Sequence, residues 1–264
     1  MIRREMQLDG RDGWALISQV KHARLAYELA RHCDERVLPL VAAREEFLSA
    51  VARHDDGWIA WETRPTTIDG RPRNFLEMPI DESLAIWRRS IAVAQTIGPL
   101  AAFAVSGHFS ALGERAEHRR PHSESWCHLV DEFLDEQREL RNEWQSDYVA
   151  RRPAGGNMAG GEPQLQRAVR LLQLFDAASL WFCCHEQPEP ETFDVPDGRG
   201  SITLRMLGSG RVEVDRWPFV EREISLSIAA SWIAAAHFEG PEPLAAAART
   251  PVEIGWTLAP AGGR

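Results

Sequence analysis

His54-Asp55-Asp56 places an imidazole directly before two carboxylates at the end of a predicted helix. Imidazole nitrogens and carboxylate oxygens are the ligands of Mn, Fe, Zn, Ni or Mg ions in mixed N/O sites, with no thiolate required. A His-Asp pair alone is a weak signal in a chain with nine His. Three further ligand types, His22, His108 and Asp176, fall on the apolar faces of other predicted helices. Burying one unpaired carboxylate costs several kcal/mol or forces it to take up a proton. Polar groups turned toward one core therefore need a compensating partner, and a divalent metal ion, one or two per chain, is the simplest. Such an ion lowers the pKa of water and polarises a phosphoryl oxygen.

The elements that must position these groups follow from hydrophobic periodicity. Ser18 is a good N-cap for a helix over 18–33, where His22, Leu25, Ala26 and Leu29 share one face. A second helix over 42–55 carries Phe47, Leu48, Val51, His54 and Asp55, and Gly57 ends it. Helices follow over 82–97 and 99–113, the latter with Leu100, Phe103, Ala104, Gly107 and His108 in register. A long helix over 121–150 starts near Pro121 and presents Trp126, Leu129, Val130, Phe133, Leu140 and Trp144. A flexible break over 153–161 precedes a helix over 162–185. On that helix Leu165, Val169, Leu172, Asp176, Ser179, Leu180 and Cys183 form one side, with Asp176 where a leucine would be ordinary.

Adjacent residues on a helix point about 100° apart. His54 and Asp55 can therefore share an ion only at the helix edge, with His22 and Asp176 supplied by separate helices. The stretch 57–81 is broken by Pro65, Gly70, Pro72 and Pro79, yet holds Trp58, Trp61, Glu62 and Phe75. That aromatic content predicts an ordered loop over the mouth of a site.

Strands are predicted at both ends. Residues 1–17 read as a strand or hairpin, with Asp9-Gly10 and Asp12-Gly13 as turn signals. After His185 come strands over 202–207, 211–215 and 223–228, a short helix near 242–249 and a last strand over 252–258. The predicted fold class is mainly α. A helical body over 1–185 carries the ligands, and a small C-terminal antiparallel sheet, within an α+β subdomain over 186–264, packs on it.

Composition narrows the function. The chain has 264 residues, 44% of them hydrophobic, and a net charge of −9. That charge argues against nucleic-acid and anionic-membrane partners. No apolar run reaches the roughly 18 residues of a membrane span, and the N-terminus lacks an apolar leader, so the expected location is cytoplasmic. The four Cys form no CxxC pair and read as reduced thiols. Lys21 is the only lysine, which leaves little room for Schiff-base chemistry.

The order His, then His-Asp, then a late Asp, each on its own helix, resembles the motif of the HD-domain metal-dependent phosphohydrolases. Asp176-Ala177-Ala178-Ser179-Leu180 is also similar to the end of an HD domain. The resemblance implies an HD-like helical bundle with His22, His54, Asp55 and Asp176 as metal ligands. The blocks Met1-Ile2-Arg3-Arg4, His22-Ala23-Arg24-Leu25-Ala26, His54-Asp55-Asp56-Gly57-Trp58 and Val105-Ser106-Gly107-His108 resemble an uncharacterised bacterial family of unknown function, over nearly the whole chain. The gap between Asp55 and Asp176 is longer than in compact HD domains. Members with two metals carry two further His, for which His108 and one of His118, His122 or His128 are available here.

The expected activity is hydrolysis of a small phosphorylated molecule, a nucleotide or other phosphoester, by metal-activated water. Asp56 or His108 would position or deprotonate that water. Arg24, Trp58 and Trp61 are candidate substrate contacts, and Arg88 and Arg89 candidate phosphate holders, against the plainer reading of core aromatics and solvated helix faces. A di-iron oxygenase of the HD type and a non-catalytic HD-like binding protein are the alternatives. A homodimer is compatible with either.

Overall fold

Ser18 stands in extended geometry and its Oγ accepts from the Lys21 N–H, which starts helix α1 (Gln19–His32). The computed structural model describes residues 1–40, 43–117, 123–151 and 161–262. Ala42, Pro121, His118, His122 and residues 153–160 therefore lie outside the described residues.

The chain opens with a hairpin, β1 (Ile2–Leu8) and β2 (Arg11–Ile17). Asp9 and Gly10 take φ values of 52° and 73° at its turn, the conformation that Asp-Gly pairs favour in two-residue hairpins. Asp12-Gly13 is no turn. Gly13 sits within β2, where a Cβ would lie 2.3 Å from the Ile233 carbonyl oxygen.

After α1 come α2 (Arg44–Arg53), a 3₁₀ turn over Asp56–Trp58 and the short α3 (Ile59–Glu62). The two-residue strands β3 (Thr67–Ile68) and β4 (Arg71–Pro72) pair, and a second 3₁₀ turn covers Phe75–Glu77. Helices α4 (Ile80–Gln95), α5 (Pro99–Glu117), α6 (Glu124–Ala150) and α7 (Gly161–Cys184) follow. On α6, Val130, Phe133, Gln137 and Trp144 face the core, whereas Leu129 is exposed. Ser106 Oγ donates to Gln137 Oε1 at 3.1 Å, and Arg141 Nη1 donates to Ser106 Oγ at 3.2 Å, tying α5 to α6.

Helix α7 is central and packs against α1, α2, α5 and α6. Its approach to α5 is close at Gly107, where a Cβ would lie 2.5 Å from Val169 Cγ2. That contact brings His108 beside Asp176.

The C-terminal region holds β5 (Glu191–Asp194), β6 (Ser201–Gly208), β7 (Arg211–Asp215), β8 (Ile224–Ala234), the short α8 (Pro241–Ala246) and β9 (Thr250–Pro260). These strands do not form a small antiparallel sheet of their own. The sheet has seven strands in the order β1-β2-β8-β9-β7-β6-β5, and it is curled. The N-terminal hairpin joins it through β2, with Gly13 opposite Ala234 and Leu16 opposite Ser231. Strand β7 runs parallel to β9, so the sheet is mixed. With 24% of residues in strands, the fold is not mainly α and not a plain HD-type helical bundle. The alternating strands were visible locally; which strands pair is decided by contacts across the whole chain, which no local pattern encodes.

The sheet's buried face carries Ile224, Leu226, Ile228, Trp256 and Leu258 and meets α1 and α7, where Phe182 and Trp256 rings lie 5.1 Å apart. One continuous core runs through helices and sheet. The cysteines are free thiols. Among the described residues, no helix is long and apolar enough to cross a membrane.

Candidate metal centre

The four ligand candidates come from three neighbouring elements. His22 lies one turn into α1 and faces α7. His54 is the C-cap that follows the last residue of α2. Asp55 is already outside the helix, with φ −106° and ψ 14°, at the start of the 3₁₀ turn. Asp176 is on α7. The break at Asp55 resolves the 100° divergence of adjacent helical residues, because the backbone turns and both side chains reach one point.

The turn is fixed from α4. Gly57 N–H donates to Ser90 Oγ at 3.1 Å, and a Cβ on Gly57 would lie 2.2 Å from the Ile86 carbonyl oxygen. Only glycine permits this approach.

One ligand atom from each of His22, His54, Asp55 and Asp176 lies within 4.8 Å of all the others, and the set could hold a metal ion. His22 Nε2 is 2.9 Å and His54 Nε2 3.3 Å from Asp176 Oδ1; the same nitrogens are 3.7 Å and 3.4 Å from Asp55 Oδ2. The opposite ring nitrogens are engaged elsewhere. His54 Nδ1 lies 2.8 Å from the Val51 carbonyl oxygen, which can only accept. Ser179 Oγ donates to the Asp176 carbonyl at 2.9 Å, so it accepts from His22 Nδ1, also at 2.9 Å. Both rings therefore carry a proton on Nδ1 and turn Nε2 inward, the orientation a metal ligand needs once an ion replaces the Nε2 proton.

The electrostatics match. Burial alone would drive a proton off His54, but Asp55 and Asp176 outweigh it and hold its pKa well above the usual 6.5. Burial likewise pushes the Asp176 carboxyl up, and His108, His22 and His54 outweigh it and hold it well below 3.8. A proton bridging these groups occupies the place of a cation.

His108, on α5, stands next to this set. Its ring centroid is 5.6 Å from that of His54, and its Nε2 is 3.9 Å from Asp176 Oδ2. It is buried, its Nδ1 has no hydrogen-bond partner among the described residues, and burial lowers its pKa to about 4.

The cluster forms the floor of a cavity of 630 Å³. His22, Asp55, His108 and Asp176 line it together with Trp58, Phe75, Trp87, Phe109, Leu112 and Trp126. The segment 57–81 contributes Trp58, Phe75, Leu76, Met78 and Ile80 nearby, so its aromatic residues do reach the site.

Other candidates fall elsewhere. Asp56 turns away and pairs with Arg53 at 2.7 Å. Arg24 is exposed and does not line the cavity. Trp61 donates to Glu82 Oε2 and packs in a separate small cluster. Arg88 pairs with Glu136, and Arg89 donates to the Gly57 carbonyl. His128 is exposed beside Glu132. Sequence reasoning missed Ser179 as the His22 partner and Arg115 as a cation lining the cavity. The i, i+7 spacing of His108 and Arg115 on one helix was the available signal for the latter.

Residues 1–235 match the model of a family described as protein of unknown function, DUF3891. The chain belongs to that family. No curated protein and no solved structure matches it. Membership in DUF3891 leaves the chemistry of the chain to be argued from the site itself.

Proposed function

We propose that this DUF3891 chain is a metal-dependent hydrolase of small phosphoesters. The observation that carries the reading is the convergence of two inward-facing imidazole Nε2 atoms and two carboxylates on the floor of an open cavity. A purely structural polar cluster would be sealed in the core. The ligand order His, His-Asp, Asp is also that of the HD phosphohydrolases, which supports the same chemistry.

Two imidazoles among four donors suit Mn, Fe, Zn or Ni better than Mg, which prefers oxygen. When bound, such an ion supplies Lewis acidity and a lowered pKa for water. His22 and His54 hold it through Nε2, and Asp55 and Asp176 through carboxylate oxygens. Ser179 and the Val51 carbonyl keep the two rings from rotating. His108 is neutral near pH 7 and too weak a base to take a proton there. With Nδ1 unpartnered, its proton sits on Nε2, where it donates a hydrogen bond that positions a phosphoryl oxygen. The aromatic wall lowers the local dielectric and strengthens these interactions.

A two-iron oxygenase needs a second set of imidazole ligands. Among the described residues, only His108 stands beside the four donors. One ion and hydrolysis is the reading the geometry supports best. Incubating the chain, reconstituted in turn with Mn²⁺, Fe²⁺, Zn²⁺ and Ni²⁺, with a panel of phosphomonoesters and phosphodiesters tests it. Metal-dependent phosphate or alcohol release is expected; none with any ion and any ester would overturn it.

A further inference from the structure

Resting on the hydrolase reading, we infer that the substrate is a compact ester with a single negative charge and an aromatic or similarly bulky apolar body, and not a nucleoside polyphosphate. The inference comes from what lines the cavity above the ligands. Trp58, Phe75, Trp87, Phe109, Leu112 and Trp126 form its wall, and Trp87 and Phe109 are stacked with centroids 5.5 Å apart. These residues offer area to an apolar body and little hydrogen bonding to a ribose or a phosphate chain.

The charges of the lining are few. Among the described residues, Arg115 is the only Lys or Arg that lines the cavity, against the carboxylates of Asp55 and Asp176. A divalent ion held by neutral imidazoles would leave the lining with one net positive charge, which complements a monoanion. Triphosphate recognition recruits several cations or a backbone cradle, and neither lines this cavity among the described residues. The arginines expected to serve a phosphate, Arg24, Arg88 and Arg89, do not line it.

The distribution along the cavity is ordered as well. His108, Leu112 and Arg115 lie on one face of α5, from the floor outward, over about 10 Å of helix. His108 is buried and Arg115 exposed, with no ion pair among the described residues. Leu76, 77% exposed, also lines the cavity, so an apolar side chain waits in water at its mouth. A ligand that places its ester at the floor would lay its apolar body past Leu112 and cover Leu76. Arg115 would attract the ester's charge on entry and act on it at the floor only by longer-range attraction.

Titration calorimetry of the full chain, metal-free and Mn²⁺-loaded, with diphenyl phosphate, its uncharged analogue diphenyl methylphosphonate, and ATP separates the outcomes. Diphenyl phosphate is expected to bind at least about tenfold more tightly than ATP in both forms. Arg115→Gln, an exposed substitution that spares the core, is expected to weaken diphenyl phosphate about threefold and leave the uncharged analogue unchanged. ATP binding as tightly as diphenyl phosphate, no binding of either aromatic ligand, or equal losses for charged and uncharged ligands would overturn the inference. Calorimetry reads binding alone, so an absence of turnover in the phosphoester panel overturns the hydrolase reading without touching these results.

Discussion

His22 Nε2 and Asp176 Oδ1 lie 2.9 Å apart, although 154 residues separate them in sequence. The contact joins α1 to α7 at the one place where α2 also ends, and it places an imidazole and a carboxylate in the core on the same side of the same cavity. A metal ion between them, with His54 and Asp55, accounts for all four groups at once.

Ser179 is the support that keeps His22 oriented. Replacing it with alanine removes the acceptor of the Nδ1 proton while leaving all four ligands in place. Ser179→Ala is expected to weaken metal binding by roughly 10–100-fold. A chelator competition titration checks this, with circular dichroism showing an intact fold.

His108 stands beside the ligand set without belonging to it. His108→Ala is expected to retain the metal and to lower turnover by about 100-fold, the effect of losing one positioned hydrogen-bond donor. Metal content and kcat measured on the same preparation test this. Loss of the ion in this variant would instead make His108 a ligand. Asp56→Asn, which alters only the exposed pair with Arg53, is expected to leave both quantities unchanged.

Three groups at the site contribute to the pH dependence of the metal-free chain. His108 is lowered from 6.5 to about 4, so between those values the unfolded state binds the extra proton and stability rises with pH. His54 is raised above 6.5, so its contribution is complete below 6.5 and is lost as pH rises through its folded value. Asp176 is lowered, so its contribution is present above 3.8 and is lost as pH falls through its folded value. Together these contributions peak near pH 6.5. Metal displaces the His54 proton, so saturating metal is expected to abolish the decline above pH 6.5. Thermal melts from pH 5 to 8.5, with and without chelator, show whether it does.

Gly57 carries the close packing of the Asp55 turn on α4. Gly57→Ala forces a Cβ against the Ile86 carbonyl oxygen and the Ser90 backbone. A loss of about 1–3 kcal/mol in stability is expected, together with weaker metal binding because Asp55 moves. Urea denaturation measures the first and the chelator titration the second.

The polar cluster was legible in the sequence because its members break a local rule: His22 and Asp176 stand in otherwise apolar helical stripes, and His54-Asp55 sits where a helix must stop. The Ser18 cap and the Asp9-Gly10 turn were legible for the same reason, since their signals act over a few residues. The sheet was not. Strand β2 pairs with β8 more than two hundred residues later, and β7 lies parallel to β9, and both choices depend on long-range packing. The cavity wall was hidden differently. Trp87, Phe109 and Trp126 carry the same hydrophobic signal whether they fill a core or line a pocket. Asp56 misled because its i, i+3 partner Arg53 draws it outward, and proximity to His54 in sequence does not reveal that.

The central claim is the ion itself, and elemental analysis of the chain purified without chelator tests it most directly. One Mn, Fe, Zn or Ni ion per chain is expected in the wild type. His54→Ala and Asp176→Asn are expected to hold almost none, and re-adding the ion should raise the melting temperature of the wild type alone. A wild-type chain that carries no ion, takes none up and melts at the same temperature with or without each metal would contradict the account.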